Sequence, residues 1–208
     1  MSISTWLLFI AAAAVSILSP GPAVLVALRN GMSGDIRKVV LSSLGNVCGL
    51  LAIAGFAVLG LGVVLKTSEW LFLLLKLLGA AYLIYLGVRQ WRSHGFVLSP
   101  SGQGEHRTGV RLFTEGLLVA VSNPKAILFF TALFPQFLDT GRPVWPQFLL
   151  MVGTFMAFSF LTLVAYGTLA KRITRILNSA RRTRWFNRIL GGAFVSLGIS
   201  VMRLKQPV

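Results

Sequence analysis

Residues 113–137, FTEGLLVAVSNPKAILFFTALFPQF, are apolar over the length of a membrane span, yet they carry an amide, a proline and a cation at their middle, in Asn123-Pro124-Lys125-Ala126. Proline inside a helix removes a backbone donor and clashes with the carbonyl four residues earlier, at a cost of roughly 3 kcal/mol. A lysine at bilayer depth costs about 2.5 to 3.5 kcal/mol on insertion scales. Side by side, the two costs predict a deliberate break. Asn123 is then the N-cap, Pro124 the first helical position, and residues 125–134 a new half-helix. Such a half-helix opens at mid-membrane with free N–H groups and a cation beside it, which suits an anion.

The rest of the chain has the composition this reading requires. Of its 208 residues 55% are hydrophobic and only 12% charged, against about a quarter charged in an ordinary soluble domain. The chain is therefore expected to be an all-α integral membrane protein with the lipid bilayer as its surroundings. Its net charge of +15 would suggest nucleic acid in a soluble protein. Here the bases fall in short connections between apolar runs, as topology determinants do, so no nucleic-acid partner is expected. The single cysteine, Cys48, forms no internal disulfide and carries no metal or redox signature.

Apolar runs of about 20 residues place six transmembrane helices, over residues 5–28, 39–65, 70–87, 112–134, 145–170 and 186–202. The first lacks a basic leader and is too long for a signal core, so it reads as uncleaved. Trp6, Trp70, Trp91, Trp145 and Trp185 fall at span ends, as interfacial anchors do. Fourteen bases lie in the connections after spans one, three and five, including Arg29, Arg37, Lys38, Arg89, Arg92, Arg107, Arg111 and the run over residues 171–188. Only Lys66, Arg142, Arg203 and Lys205 lie on the other side. The expected location is a bacterial inner membrane, with both termini outside the cytoplasm.

Residues 93–110, SHGFVLSPSGQGEHRTGV, form a Ser/Gly/Pro-rich linker. It divides the chain into a first three-helix repeat, 1–92, and a second, 111–208. An odd number of spans per half makes the halves enter the membrane from opposite faces, which predicts two inverted repeats if they are related. Ser19-Pro20-Gly21-Pro22 in span one precedes Asn123-Pro124-Lys125-Ala126 in span four by 104 residues, half the chain length. Ser19 is again an N-cap residue followed by proline. Matched proline breaks in two halves point to a transporter's central site, although prolines that merely kink membrane helices are also common.

The SPGP element, the glycine-spaced Gly45-Asn46-Val47-Cys48-Gly49 and the run GLLVAVSNPKAILFFTALFPQF together resemble the LysE/RhtB family of amino-acid exporters, over essentially the whole chain. The resemblance implies an inner-membrane exporter of an amino acid such as lysine, threonine, homoserine or leucine, driven by the proton gradient. It implies neither an enzyme nor a cofactor.

An amino acid presents a carboxylate and an ammonium. The expected substrate-binding residues are Ser19, Pro20, Gly21, Pro22, Asn46, Asn123, Pro124 and Lys125. The half-helix ends and Lys125 suit the carboxylate, with Lys125 either its counter-ion, a proton-linked switch, or a structural group pairing with a carbonyl. Carbonyls freed by the breaks and the amides of Asn46 and Asn123 suit the ammonium. Asn46 also lies inside a Gly-xxx-Gly pattern that marks close helix packing. Among the acids, Glu115 reads as an i,i+4 partner of Arg111, and Asp35 as a solvated loop charge. Ser159, Thr162 and Tyr166 either face a water-filled path or make helix-to-helix hydrogen bonds. Gly192, Ser196 and Ser200 form a small-residue stripe that suits packing, within the molecule or in a homo-oligomer. A metal-cation exporter is the nearest rival, disfavoured because no carboxylate, His or Cys cluster lies within the spans. A membrane enzyme is disfavoured because both histidines, His94 and His106, are in the linker. A non-transporting assembly protein remains the third reading.

Overall fold

The computed structural model describes residues 3–67, 69–93, 107–139, 141–177 and 179–203, all of them helical or in connections. Helix α1, Ile3–Leu18, ends where Pro20 withdraws a donor, and α2, Pro22–Met32, restarts with a proline at its first position. The two are bent by 54°. Helix α3, Ile36–Thr67, follows a turn in which Gly34 adopts φ +78°, a conformation that costs glycine little. Helix α4 is Glu69–Arg92. In the second half, α5 spans Gly109–Val121 and α6 spans Pro124–Leu128. A π-helical turn, Phe129–Leu133, and a 3-10 turn, Phe134–Phe137, complete that span. The pair is bent by 53°. Helices α7, Val144–Thr168, α8, Ala170–Leu177, and α9, Ala180–Arg203, complete the chain.

Three helices are long and apolar enough to cross a membrane, within Ile36–Val58, Val144–Thr168 and Arg181–Met202; the two bent pairs raise the count to as many as five among the described residues. The expected third span lies in α4, part of whose side chains, including Lys76, fall outside the described residues. So do residues 94–106, with both histidines and most of the expected linker. The spans keep large apolar side chains outward, such as Phe56, Leu149 and Leu161, as a bilayer surface requires.

Two kinds of contact hold the bundle. An aromatic core joins the ends of the broken spans: Phe9 of α1 sits 5.5 to 6.2 Å, centroid to centroid, from Phe129, Phe134 and Phe137. Phe155 of α7 closes on Phe129 and Phe130 at 4.8 and 4.9 Å. Elsewhere small residues let backbones touch. A Cβ at Gly45 of α3 would overlap the Phe113 carbonyl of α5, and one at Gly116 of α5 would overlap the Ser42 carbonyl of α3. The Gly-xxx-Gly pattern is thus a packing face, as small residues allow in membranes. Helix α9 meets α4 through Gly191 and Gly198, whereas Ser196 of the expected stripe is exposed.

Gly116→Val should therefore force α3 and α5 apart. The expected cost is that of overpacking, roughly 1–3 kcal/mol or more, read as a fall of several degrees in the melting temperature of the detergent-solubilised protein. Gly55→Ala, where a Cβ meets nothing within 4 Å, should leave it unchanged.

Candidate functional site

Helix α1 ends with carbonyls that have lost their partners. The Ser16 carbonyl would accept from the N–H of residue 20, but that residue is proline and has none. Carbonyls at a helix C-terminus also carry the negative end of the helix dipole. Both problems have one solution. The ammonium of Lys125 donates to the Ser16 carbonyl at 2.7 Å and to the Ser19 carbonyl at 3.0 Å. Tyr166 of α7 donates from its hydroxyl to the Leu18 carbonyl at 2.9 Å, so Tyr166 makes a helix-to-helix hydrogen bond. The broken end of span one is thus capped by side chains of the second half.

Lys125 is aimed there by its own break. Asn123 accepts from the Lys125 N–H at 3.1 Å and Pro124 takes the first position of α6, as the sequence predicts. The helix beyond runs to Phe137 rather than ending at residue 134. It loosens into the π turn over the phenylalanine run and tightens into a 3-10 turn beginning one residue before Pro135. Gly21 leaves room for the lysine: a Cβ there would stand 3.2 Å from Nζ.

Span one does not repeat this cap. Ser19 was expected to be its N-cap, but the cap position is Gly21, in extended backbone and with no side-chain hydrogen bond. The reason is the second proline. Pro22 takes the first helical position, so the residue before it, and not Ser19, is the cap. Ser19 instead presents its carbonyl to Lys125 and reaches Gln90 with its hydroxyl at 3.5 Å. Gln90 donates to Asn187 at 2.9 Å. These two amides, near span ends, were not singled out in the sequence; their signal is an uncharged polar residue among basic neighbours.

Of the eight expected residues, Gly21, Asn46, Asn123 and Lys125 line one cavity, whereas Ser19, Pro20, Pro22 and Pro124 belong to the breaks beside it and do not line it. The cavity, of about 40 Å³, lies between the breaks, α3 and α7 and is walled by apolar side chains such as Ile17, Val24, Leu50 and Phe155. Its polar lining comes from Ser16, Asn46, Asn123, Lys125 and Ser159. Ala23 and Val24, the first residues of α2 able to donate a backbone N–H, also line it; helix geometry leaves those donors without an intrahelical partner. The space holds roughly three or four waters at 10–15 Å³ each.

A second polar cluster lies at the other end of α2. Glu115 of α5 accepts from Arg29 of α2 and from Arg107, the latter at 3.3 Å. Glu115 therefore links the two halves as well as lying one turn beyond Arg111. Close by, Asn30 donates to Ser42 at 3.0 Å. Asp35 accepts from the Arg37 N–H at 3.0 Å in an exposed turn, and remains the loop charge expected. No group of three or more His, Cys, Asp or Glu side chains suited to a metal occurs among the described residues.

Comparison with known proteins gives a consistent picture. Residues 14–205 match the family described as LysE type translocator. A homoserine/homoserine lactone efflux protein of Salmonella typhimurium is 32% identical, over 95% of this chain and 96% of its own. A threonine efflux protein of Escherichia coli K12 is 30% identical, over 90% and 92%. An uncharacterized membrane protein of Vibrio cholerae is 31% identical, over 99% and 100%. No solved structure matches the chain.

Removing the cap on α6 tests the local geometry. Asn123→Ala should cost about 1 kcal/mol, the usual value of an N-cap, seen as a lower melting temperature, whereas Asn123→Asp should keep most of it.

Proposed function

The chain belongs to the family of LysE type translocators, and on that premise we propose that it exports a small amino acid or amino-acid derivative across the bacterial inner membrane, coupled to the proton gradient. Homoserine, homoserine lactone and threonine, named for its relatives, are the first candidates. The single observation carrying the reading is the meeting of two broken spans at one lysine. Lys125 of the second half lies on the freed carbonyls of the first, beside a polar-lined cavity. Transporters place their sites where two interrupted helices meet.

In this reading six spans form two inverted three-helix repeats, residues 1–92 and 111–208, joined by a linker over 93–110. Support comes from the matched bends of 54° and 53° and from the packing. The broken span of each half lies against the middle and last spans of the other: α1 and α2 on α7, with α1 also on α9, and α5 on α3, with the π turn on α4. The two last spans, α4 and α9, pack together. Rocking one half against the other would then open the cavity to alternate sides. The arginine-rich ends define the cytoplasmic side, leaving both termini outside it.

The carboxylate of the substrate would meet the unpartnered N–H groups at the start of α2 and the charge of Lys125. Ser19, Pro20, Gly21 and Pro22 shape that end, and Asn123 and Pro124 aim the lysine. Lys125 is at once a strut and a counter-ion.

Counter-flow into proteoliposomes tests this, with labelled homoserine, threonine and leucine as a panel. The wild type should exchange at least one of them. Lys125→Ala should lower the rate at least tenfold, since charged hydrogen bonds contribute about 1.5–3 kcal/mol each, and Lys125→Arg should retain more than alanine does. Absence of exchange for every amino acid, under any gradient, would sink the exporter reading. Full activity in Lys125→Ala would remove the lysine from the site.

A further inference from the structure

Three polar side chains of the central cavity make no hydrogen bond to another described residue: Asn46, Ser159 and Ser16, the last on the residue whose carbonyl holds Lys125. Asn46 of α3 is 4% exposed and Ser159 of α7 is 5% exposed. Both line the cavity and neither makes a hydrogen bond to any described residue, yet neither is among the fully enclosed polar atoms without a partner, which are Trp6 Nε1 and Ser43 Oγ. Their polar atoms therefore open onto the cavity, and polar groups inside a protein are nearly always satisfied, so what meets them there has to come from the cavity. Asn46 is turned to the cavity because its neighbours Gly45 and Gly49 lie against the backbone of α5, at Phe113 and Leu117. The helix presents the amide to open space and not to a helix partner. Ser159 comes from the equivalent middle span of the other half, and α3 packs on α7.

The rest of the polar lining is already committed or of the wrong sign. Asn123 uses its oxygen on the Lys125 N–H. The Ser16 and Ser19 carbonyls hold the Lys125 ammonium, and a second cation beside that one would be repelled. The backbone groups at Ala23 and Val24 are donors. The Ser16 hydroxyl is on the residue whose carbonyl holds the Lys125 ammonium, so among the cavity's side chains acceptor capacity on elements clear of Lys125 rests with the amide oxygen of Asn46 and the hydroxyl of Ser159.

We propose that Asn46 and Ser159 receive the α-ammonium group of the substrate and so select amino acids over 2-hydroxy acids of the same shape. The inference rests on the exporter reading above and adds to it the residues that distinguish the ammonium. A 2-hydroxy acid keeps the carboxylate and therefore every contact at Lys125 and α2, but lacks the charge that makes a hydrogen bond to Asn46 and Ser159 strong.

The test is homoserine counter-flow in proteoliposomes, with unlabelled 2,4-dihydroxybutanoate, its 2-hydroxy analogue, as competitor. Asn46→Ala and Ser159→Ala should each raise the KM for homoserine about tenfold, the loss expected for one charge-assisted hydrogen bond, with a smaller effect on kcat. Inhibition by the hydroxy acid should stay within about twofold, so the preference for the amino acid narrows in step with KM. Asn46→Asp, which keeps the acceptor, should recover most of the affinity, and this rescue separates recognition from misfolding. Equal weakening of both compounds, or an unchanged KM in both alanine variants, would overturn the proposal while leaving the exporter reading intact. A wild type that exchanges neither homoserine nor any other amino acid would overturn both.

Discussion

A backbone carbonyl with no donor is tolerable at a protein surface and costly at membrane depth, where no bulk water replaces the lost hydrogen bond. Pro20 creates such a carbonyl on Ser16, and the chain answers it from more than 100 residues away with Lys125. That answer ties together two features that are each expensive alone. A lysine at bilayer depth needs acceptors, and the end of α1 supplies them along with the negative end of a helix dipole. The break needs donors, and the lysine is one. With Tyr166 on the Leu18 carbonyl, the exposed backbone of the first half is satisfied only when the second half is docked against it.

This mutual dependence fixes much else. Lys125 arrives beside the chain at Gly21, where a Cβ would crowd its ammonium at 3.2 Å. The span that carries Lys125 must also start in the right direction, which Asn123 and Pro124 ensure. Its far end is anchored by the ring cluster around Phe9. Glycines then bring α3 and α5 to backbone contact, leaving open space where Asn46 and Ser159 face it. The cavity is not a packing failure. It is bounded by elements whose positions are each set by another requirement.

How much of this can be read from sequence follows from which forces are local. The two breaks were legible because proline and an intramembrane lysine act on their own backbone, and Asn123 capping its own helix is equally local. Span edges were legible from apolar length, within several residues. The Ser19 cap was misassigned because two prolines two residues apart compete to start one helix, and only the geometry shows that Pro22 starts it. The link from Glu115 to Arg29 was missed because sequence reveals i,i+4 neighbours and not pairs 86 residues apart. The π turn at Phe129–Leu133 lies just before Pro135, which has no N–H to give the Thr131 carbonyl, but that the helix answers with a wider turn depends on a phenylalanine run packed on α1 and α7 at once. Nor does the sequence distinguish Ser159, which meets the cavity, from Thr162, which is buried and does not line it.

The contacts that close the cavity differ in kind at its two ends, and the difference bears on how a carrier of this shape moves. At the arginine-rich end the links between halves are an ion cluster at Glu115, partly exposed at 25%, close glycine contacts, and a small aliphatic cluster in which Val24, Ala27 and Leu28 of α2 meet Leu163 of α7 and Ala170 of α8. Partly exposed ion pairs contribute about 0–1 kcal/mol each, and water can take over their hydrogen bonds as they part. At the other end, separating α1 from the second half would uncover Phe9, Phe134 and Phe137, all fully buried. Rings of this kind bury roughly 150–250 Å² each, and at about 25 cal/mol per Å² their exposure to water costs several kcal/mol. The larger apolar seam thus lies at the aromatic end. The end with the smaller apolar seam is the one whose charges mark the cytoplasmic face in the orientation proposed, and in that proposal it is the side from which an exporter must load. Under the proposed alternating access, opening the aromatic end would be the harder step, and the free energy of a driving gradient would have to act there.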